Sequence, residues 1–138
     1  MMTVLAMAGG IWIAAAVSGY LVRLVWPIPG LRFMEARAVC GLDLPPQTKK
    51  LDVRDASYYE ECHLDGTINI SLGRLPFVWN KELSPADPVL ILADSRFAVL
   101  KAARILRRRG FRQLYALRGE VCRIRAALKP CLEKKPAC

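Results

Sequence analysis

The first candidate for chemistry is a loop of six residues between a predicted strand and a predicted helix. The segment PVLILADSRFAVLKAARIL, residues 88–106, reads as a buried strand, a tight loop and a helix. Its continuous apolar run is typical of a strand that is buried on both faces. Ser95 has no histidine beside it in the sequence, so it is not a candidate nucleophile. The loop residues are Ala93, Asp94, Ser95, Arg96, Phe97 and Ala98.

The cysteines and the single histidine, His63, are the other candidates. The number of cysteines is odd and no pair has the C-x-x-C spacing; they are Cys40, Cys62, Cys122, Cys131 and Cys138. In a reducing cytoplasm we expect all of them to be free thiols. Cys62 beside His63 is too small a set for a metal site, so we expect no metal and no other cofactor.

Strands and helices alternate along the second half of the chain, which predicts an α/β domain with a parallel sheet. Gly110 and Pro130 are expected to end the last two helices. RLPFVWN reads as a turn or helical loop, and a short amphipathic helix is one interpretation of residues 31–46. The expected strands are KKLDVR, TINISL, PVLILA and QLYAL, and the expected helices are ASYYEEC, RFAVLKAARILRRRG and EVCRIRAALK.

The amino-terminal residues predict a membrane anchor. Residues 2–22 carry no charge, and a helix of that length matches a hydrocarbon core of about 30 Å. Tyr20 and Trp26 are placed to meet one membrane interface. No basic residue precedes Arg23, which argues against a cleaved signal peptide. Because basic residues follow the apolar run, we expect a single-pass protein whose C-terminal domain is cytoplasmic.

A stripe of small residues recurs every four positions in the predicted anchor. Such a face lets a second helix approach closely, but chance explains the spacing equally well. The stripe consists of Ala6, Gly10, Ala14 and Ser18. The organisation that we expect is a transmembrane helix over 2–26, a linker and poorly matched domain start over 27–47, a domain over 48–128 and a mobile basic tail over 129–138.

The net charge of +9 comes from the ends of the chain, mainly from residues 101–138, which carry twelve basic and two acidic residues. Cations at a helix C-terminus are stabilised by the helix dipole, and a dense cluster also fits an anionic membrane surface. Both interpretations stay open. We do not expect nucleic acid as a partner, since no nucleic-acid motif is present. The densest cluster is Arg104, Arg107, Arg108, Arg109 and Arg112.

The segment LDVRDASYYEECHLDGTINISL resembles the signature of rhodanese-like domains. That signature is an Asp-Val-Arg strand, an aromatic helix and a His-x-x-Gly-x-x-Asn-Ile turn. GFRQLYALRGEV is similar to a later Gly-Phe…Val-Tyr…Leu-x-Gly-Gly segment of the family, with Glu120 in place of its second glycine. The resemblance covers about residues 48–128 and implies a three-layer α/β fold. Its matching residues include Asp52, Arg54, Tyr59, His63, Gly66 and Asn69.

The family resemblance implies sulfur transfer from a cysteine at the first residue of the loop after the central strand. Backbone N–H groups around that position stabilise the thiolate and then the persulfide. Aligning this chain on that unit places Ala93 at the cysteine position. The family's Arg, Gly and second Arg in the loop then correspond to Asp94, Arg96 and Ala98. The resemblance therefore implies a degenerate loop that has lost its nucleophile.

Asp94 is open to two interpretations. Asp94 or Ser95 is expected to cap the following helix, whose first N–H groups lack partners. Asp94 is either a plain cap, or a cap whose carboxylate also fills the positive field of the helix N-terminus and excludes an external anion. By the resemblance, Asp52, Arg54 and His63 are structural residues.

We therefore expect a membrane-anchored, catalytically degenerate rhodanese-like domain that binds a protein partner or an anion and lacks thiosulfate sulfurtransferase activity. The alternative is an enzyme in which a substitute thiol, Cys62, carries the sulfur. Cys62 otherwise reads as a partly buried structural thiol. A stable fold without a present task is a third interpretation.

Overall fold

The computed structural model describes residues 2–36 and 44–133, with side chains described over 10–23, 26–36 and 44–130. Its five strands form one sheet in the order β1-β5-β4-β2-β3, and every neighbouring pair is parallel. All carboxyl ends therefore meet at one edge, here called the C-terminal edge. The strands are β1 Leu31–Met34, β2 Lys49–Asp52, β3 Thr67–Asn69, β4 Val89–Leu92 and β5 Leu114–Leu117.

Helices follow most strands, as the alternation in the sequence predicts. They are α1 Met2–Val25, α2 Ala56–Glu61, α3 Leu75–Val78, α4 Arg96–Arg108 and α5 Val121–Glu133, with a 3₁₀ turn at Trp79–Lys81. The predicted α/β fold with a parallel sheet is confirmed.

β4 is the central strand of the sheet, and all four of its residues are buried. Successive side chains of a strand point to opposite faces. Val89 and Ile91 pack with Val99 and Leu106 of α4 on one face. Leu90 and Leu92 pack with α5 on the other, against Val121, Ile124 and Leu128. The two helices thus cover opposite faces of the strand that leads into the loop at residues 93–98.

Two expectations about helices are wrong. Residues 31–34 form strand β1, which pairs with β5. Of the other residues of the helix expected over 31–46, residues 37–43 lie outside the described residues. Pro130 lies inside α5 and does not end it. Proline has a helical φ but lacks the N–H of the helical hydrogen bond, and α5 nevertheless continues to Glu133. The tail expected from residue 129 therefore begins within α5, and residues 134–138 lie outside the described residues.

Gly110 ends α4 as predicted. Its φ is +95°, a conformation that glycine adopts without strain. The Gly110 N–H donates to the carbonyl of Arg107, and the Phe111 N–H donates to that of Leu106. These bonds satisfy carbonyls that the helix end leaves without partners.

The helix predicted at the amino terminus forms as α1, and the Trp26 N–H still donates to the carbonyl of Val22. Over the described residues, no helix has the length and apolar character needed to cross a membrane. Of the small-residue stripe, Gly10, Ala14 and Ser18 are exposed, and the side chain of Ala6 lies outside the described set.

Candidate functional site

A buried ion pair follows β2 at the C-terminal edge. Asp52 is fully buried and Arg54 is 8% exposed. The Arg54 guanidinium donates to both Asp52 oxygens, with Nη2 2.8 Å from Oδ2, and the Arg54 backbone N–H donates to Oδ1. These bonds satisfy both charges, as burial of an ion pair requires.

Burial alone would lower the pKa of the Arg54 guanidinium. The hydrogen bonds and charge of Asp52, and then the charge of Asp94, outweigh burial and raise this pKa. A base with a raised pKa contributes its stabilisation below the pKa of the unfolded chain and loses it only as pH rises through the raised value. The stabilisation by Arg54 is therefore kept throughout the neutral range.

The turn between α2 and β3 is tied to this pair. Arg54 Nη2 donates to the carbonyl of Cys62 at 2.6 Å, and Asn69 Nδ2 donates to the carbonyls of Asp52 and Arg54. The His63 ring stacks on Tyr59 with centroids 4.2 Å apart, and its Nδ1 donates to the Tyr59 carbonyl at 2.8 Å. His63 thus holds the turn, and it does not line the cavity described below.

The loop that follows β4 is open by contrast. Ala93 is buried at the end of the strand, and residues 94–97 are exposed. The Ser95 Oγ accepts a hydrogen bond from the Ala98 N–H at 3.1 Å. Ser95 is therefore the N-cap of α4, which confirms one of the two expected caps.

Asp94 does not cap α4. Its Oδ1 accepts a hydrogen bond from the N–H of Val121, the first residue of α5, at 3.0 Å. Its Oδ2 lies 3.6 Å from Nη1 of Arg54. Another helix N-terminus and a buried cation hold its two oxygens, and the exclusion of an external anion by its charge stays a prediction.

A cavity of about 320 Å³ opens at this loop. Two arginines, one at the start of α4 and one after β5, approach the same aromatic ring. The guanidinium carbons of Arg96 and Arg118 lie 5.4 Å and 6.0 Å from the centroid of Phe33. Among the described residues, neither arginine forms an ion pair. The cavity is lined by Phe33, Ala93, Asp94, Ser95, Arg96, Val99, Leu117, Arg118 and Gly119.

Cys62 and Cys122 form a disulfide, so the expectation of free thiols is wrong for these two residues. The fold brings the end of α2 beside the first turn of α5, with the two Cα atoms 5.8 Å apart and the cysteines 60 positions apart in sequence. That separation of Cα atoms is normal for a disulfide. Cys62 is therefore not a free nucleophile in this structure. Cys40, Cys138 and the side chain of Cys131 lie outside the described residues.

Three arginines of the cluster in and after α4 donate to backbone carbonyls of other segments. Arg104 Nη2 donates to the Arg23 carbonyl, Arg107 Nη1 to that of Phe111, and Arg109 Nη2 to that of Pro76. Arg104 is half-buried, and the other four arginines of the cluster are exposed. A cavity of about 520 Å³ lies where α4 meets the end of α1, lined in part by Tyr20, Arg23, Trp26, Arg104, Arg107 and Arg108.

No group of three or more His, Cys, Asp or Glu side chains suited to a metal ion occurs among the described residues.

Comparison with protein families decides the relationship. The model of the rhodanese-like domain family matches residues 42–125, which is more than half of the chain. The chain belongs to the rhodanese-like domain family. The resemblance predicted from the motifs is confirmed, and the domain is related to sulfurtransferases.

Solved structures have the same fold as this rhodanese-like domain. The rhodanese-like domain of the Alr3790 protein from Anabaena sp. is 26% identical, with a TM-score of 0.53, over 67% of this chain and 89% of that chain. The single-domain sulfurtransferase RDL2 of Saccharomyces cerevisiae is 17% identical, with a TM-score of 0.63, over 80% of this chain and 100% of that chain. No sequence among the curated proteins matches this one.

Three features of the rhodanese-like site do not follow from our reading of the sequence. Phe33 lies in a segment interpreted as helix, although it is part of the sheet. Arg118 follows β5, and the rule that parallel strands end at one edge would have pointed to it. The pairing of Cys62 with Cys122 has no signal in the spacing of the cysteines.

Proposed function

We propose that this rhodanese-like domain is a catalytically degenerate binding module, anchored to a membrane, that holds a small oxyanion at the C-terminal edge of its sheet. The observation that carries the proposal is the cavity at residues 93–98. Ala93, which the family resemblance places at the nucleophile position, lines this cavity, and Arg96 and Arg118 face a common ring beside it.

The absence of a thiol at the loop argues against sulfur transfer there. By alignment with the family, Ala93 stands where the transferring cysteine belongs, and a methyl group forms neither a thiolate nor a persulfide. The alternative carrier, Cys62, is joined to Cys122. We therefore propose that the native domain has no thiosulfate sulfurtransferase activity.

The charges around the cavity favour an anion. The N-terminus of α4 carries partial positive charge, and two guanidinium groups add full charges with hydrogen-bond donors suited to oxyanions. The nearby carboxylate of Asp94 is engaged by the Val121 N–H and by Arg54, so it leaves this field available to a ligand.

Membrane attachment is supported by the end of α1. Tyr20 and Trp26 are exposed beside Arg23 and the arginines of α4, an arrangement that suits a headgroup region where aromatic rings and cations meet anionic lipids. The charge-free run over residues 2–22 supports the same proposal. The basic residues that follow it favour a cytoplasmic domain.

Titration calorimetry of the full-length chain with sulfate and with thiosulfate tests the binding function. We expect both anions to bind, and Arg96→Ala and Arg118→Ala each to weaken binding about tenfold, since a hydrogen bond to a charged group contributes about 1.5–3 kcal/mol. The control is Lys101→Ala, which removes an exposed cation of α4 outside the cavity and should bind as the native chain does. Absence of binding, or equal effects of all three changes, would contradict the proposal.

A further inference from the structure

We infer that the Cys62–Cys122 disulfide is a redox switch for the anion cavity, reduced by a negatively charged thiol. The inference rests on the proposed anion-binding function and adds its regulation. In the disulfide form the cavity is open to an anion. After reduction, Asp94 is released toward the cavity and lowers its affinity for anions.

The disulfide lies where a reductant can reach it. Cys122 is exposed and Cys62 is half-buried, and both line a surface groove of about 530 Å³. Arg125 and Lys129 line the same groove, three and seven residues after Cys122, so they share its face of α5. Asp65 is the one acidic residue among the groove residues. Two cations against one carboxylate favour approach of an anionic thiol.

A continuous set of contacts joins the disulfide to the cavity. The Cys62 carbonyl accepts from Arg54 Nη2 at 2.6 Å, and Arg54 Nη1 lies 3.6 Å from Asp94 Oδ2. Asp94 Oδ1 accepts from the Val121 N–H at 3.0 Å, and Val121 precedes Cys122 in the chain. The disulfide closes this ring by fixing the first turn of α5 to the end of α2. Asp94 also lines the cavity.

The chemical step is thiol–disulfide exchange. An external thiolate attacks the exposed Cys122 sulfur, which forms a mixed disulfide and releases Cys62 as a thiolate. A second external thiolate attacks the sulfur of the first external thiol in the mixed disulfide and releases Cys122 as a thiolate. The protein gains two electrons and, on protonation, two thiols, while two external thiols become one external disulfide. Cys122 is a suitable leaving group because the N-terminus of α5 stabilises its thiolate.

Reduction removes the covalent link that holds the first turn of α5 in place. The Val121 N–H then separates from Asp94, and the freed carboxylate turns to the nearest cations and to the N-terminus of α4. It competes there with an external anion. In the cytoplasm that we propose for this domain, a disulfide is typically transient and redox-sensing, which agrees with a switch.

The test uses the full-length chain with Cys40, Cys131 and Cys138 changed to Ser, so that one cysteine pair remains. Sulfate affinity is measured by calorimetry in the oxidised form, after reduction, and after reoxidation. We expect reduction to weaken sulfate binding about tenfold, within the usual range for coupled sites, and reoxidation to restore it. Adding Cys62→Ser and Cys122→Ser should give the weak affinity with or without reductant. Equal affinity in both redox forms overturns the switch and leaves the anion-binding function intact.

Hydrogen exchange separates failure of the switch from failure of the binding function. The Val121 amide should exchange faster after reduction, whether or not sulfate binds, because its acceptor is Asp94. Unchanged exchange overturns the coupling.

Reduction by glutathione, which is anionic, should be faster than reduction by the cationic thiol cysteamine, and added salt should narrow the difference between the two rates. A bond that glutathione does not reduce is a structural disulfide, and this result also overturns the switch.

Discussion

The loops after β2 and β4 lie at the same edge of one sheet and are built in opposite ways. After β2, Asp52 and Arg54 are buried, and each charged group has several hydrogen-bond partners. After β4, residues 94–97 are exposed and border a cavity. The first loop matches the family signature, whereas in the second we propose that Ala93 stands at the position of the family's cysteine.

This difference separates two requirements of a rhodanese-like domain. The Arg54 guanidinium holds the turn at Cys62, and the backbone carbonyls of Asp52 and Arg54 bind Asn69 at the end of β3, so we expect this loop to support the fold whatever the domain does. The loop at residues 93–98 needs a cap for α4 but no thiol to remain stable. The loss of sulfur chemistry that we propose is therefore compatible with the fold, and Asp94 is the residue that connects the two loops.

The largest effect is expected from Arg54→Ala. It leaves the fully buried Asp52 carboxylate without its cation, which should lower the free energy of unfolding by about 3–5 kcal/mol. Urea denaturation of the full-length chain, followed by circular dichroism, measures this loss. Arg96→Ala, in the open loop, should cost less than about 1 kcal/mol. Similar losses for the two arginines would remove the contrast between the loops.

A smaller loss is expected from Asn69→Ala. Its Nδ2 donates to two backbone carbonyls, those of Asp52 and Arg54, and these acceptors would lose a partner in the half-buried loop after β2. The Asp52 carbonyl still accepts from the Ile70 N–H, so the cost falls mainly on the Arg54 carbonyl and should be about 1–3 kcal/mol, measured by the same denaturation. A loss of stability smaller than that caused by an exposed substitution would show that water replaces the Asn69 amide as the donor.

Ser95→Ala tests the side-chain hydrogen bond that caps α4 in the open loop. It removes the N-cap of α4, for an expected loss of about 1 kcal/mol, while Ser95→Asp or Ser95→Asn should retain most of the stability. The melting temperatures of the three variants, measured by thermal unfolding, check this order of stability. Equal melting temperatures for the alanine and aspartate variants would argue against capping.

Arg118→Ala should have the smallest effect on stability and a clear effect on binding. The Arg118 side chain is exposed beside Phe33, so its removal should change the free energy of unfolding by less than about 1 kcal/mol. Sulfate affinity should fall all the same. A large loss of stability would place Arg118 with the structural network of the first loop instead of with the cavity.

Much of the fold could be predicted from residue pattern. The apolar run of β4 and the periodicity of α4 reflect burial of the strand on two faces and of the helix on one, so both appear directly in the sequence. β1 is short and half-exposed at the edge of the sheet, and its four residues carry no comparable pattern. Pro130 shows that a proline does not always end a helix, since α5 continues past it to Glu133.

The candidate site was less predictable because it depends on contacts between distant segments. Ser95 caps α4 through a local contact, which the sequence predicts. The Asp94 carboxylate instead meets Val121, 27 residues away, and the disulfide joins residues 60 apart. Such contacts follow from the order of strands in the sheet, which brings loops from separate strands to one edge.

The central claim is that the native domain lacks sulfur transfer because residue 93 is alanine. The most direct test is a thiosulfate–cyanide sulfurtransferase assay on the full-length chain, native and Ala93→Cys, with mass spectrometry for a persulfide. The account predicts no thiocyanate from the native chain, and both thiocyanate and a persulfide from Ala93→Cys. Thiocyanate formation by the native chain above the uncatalysed rate would contradict it.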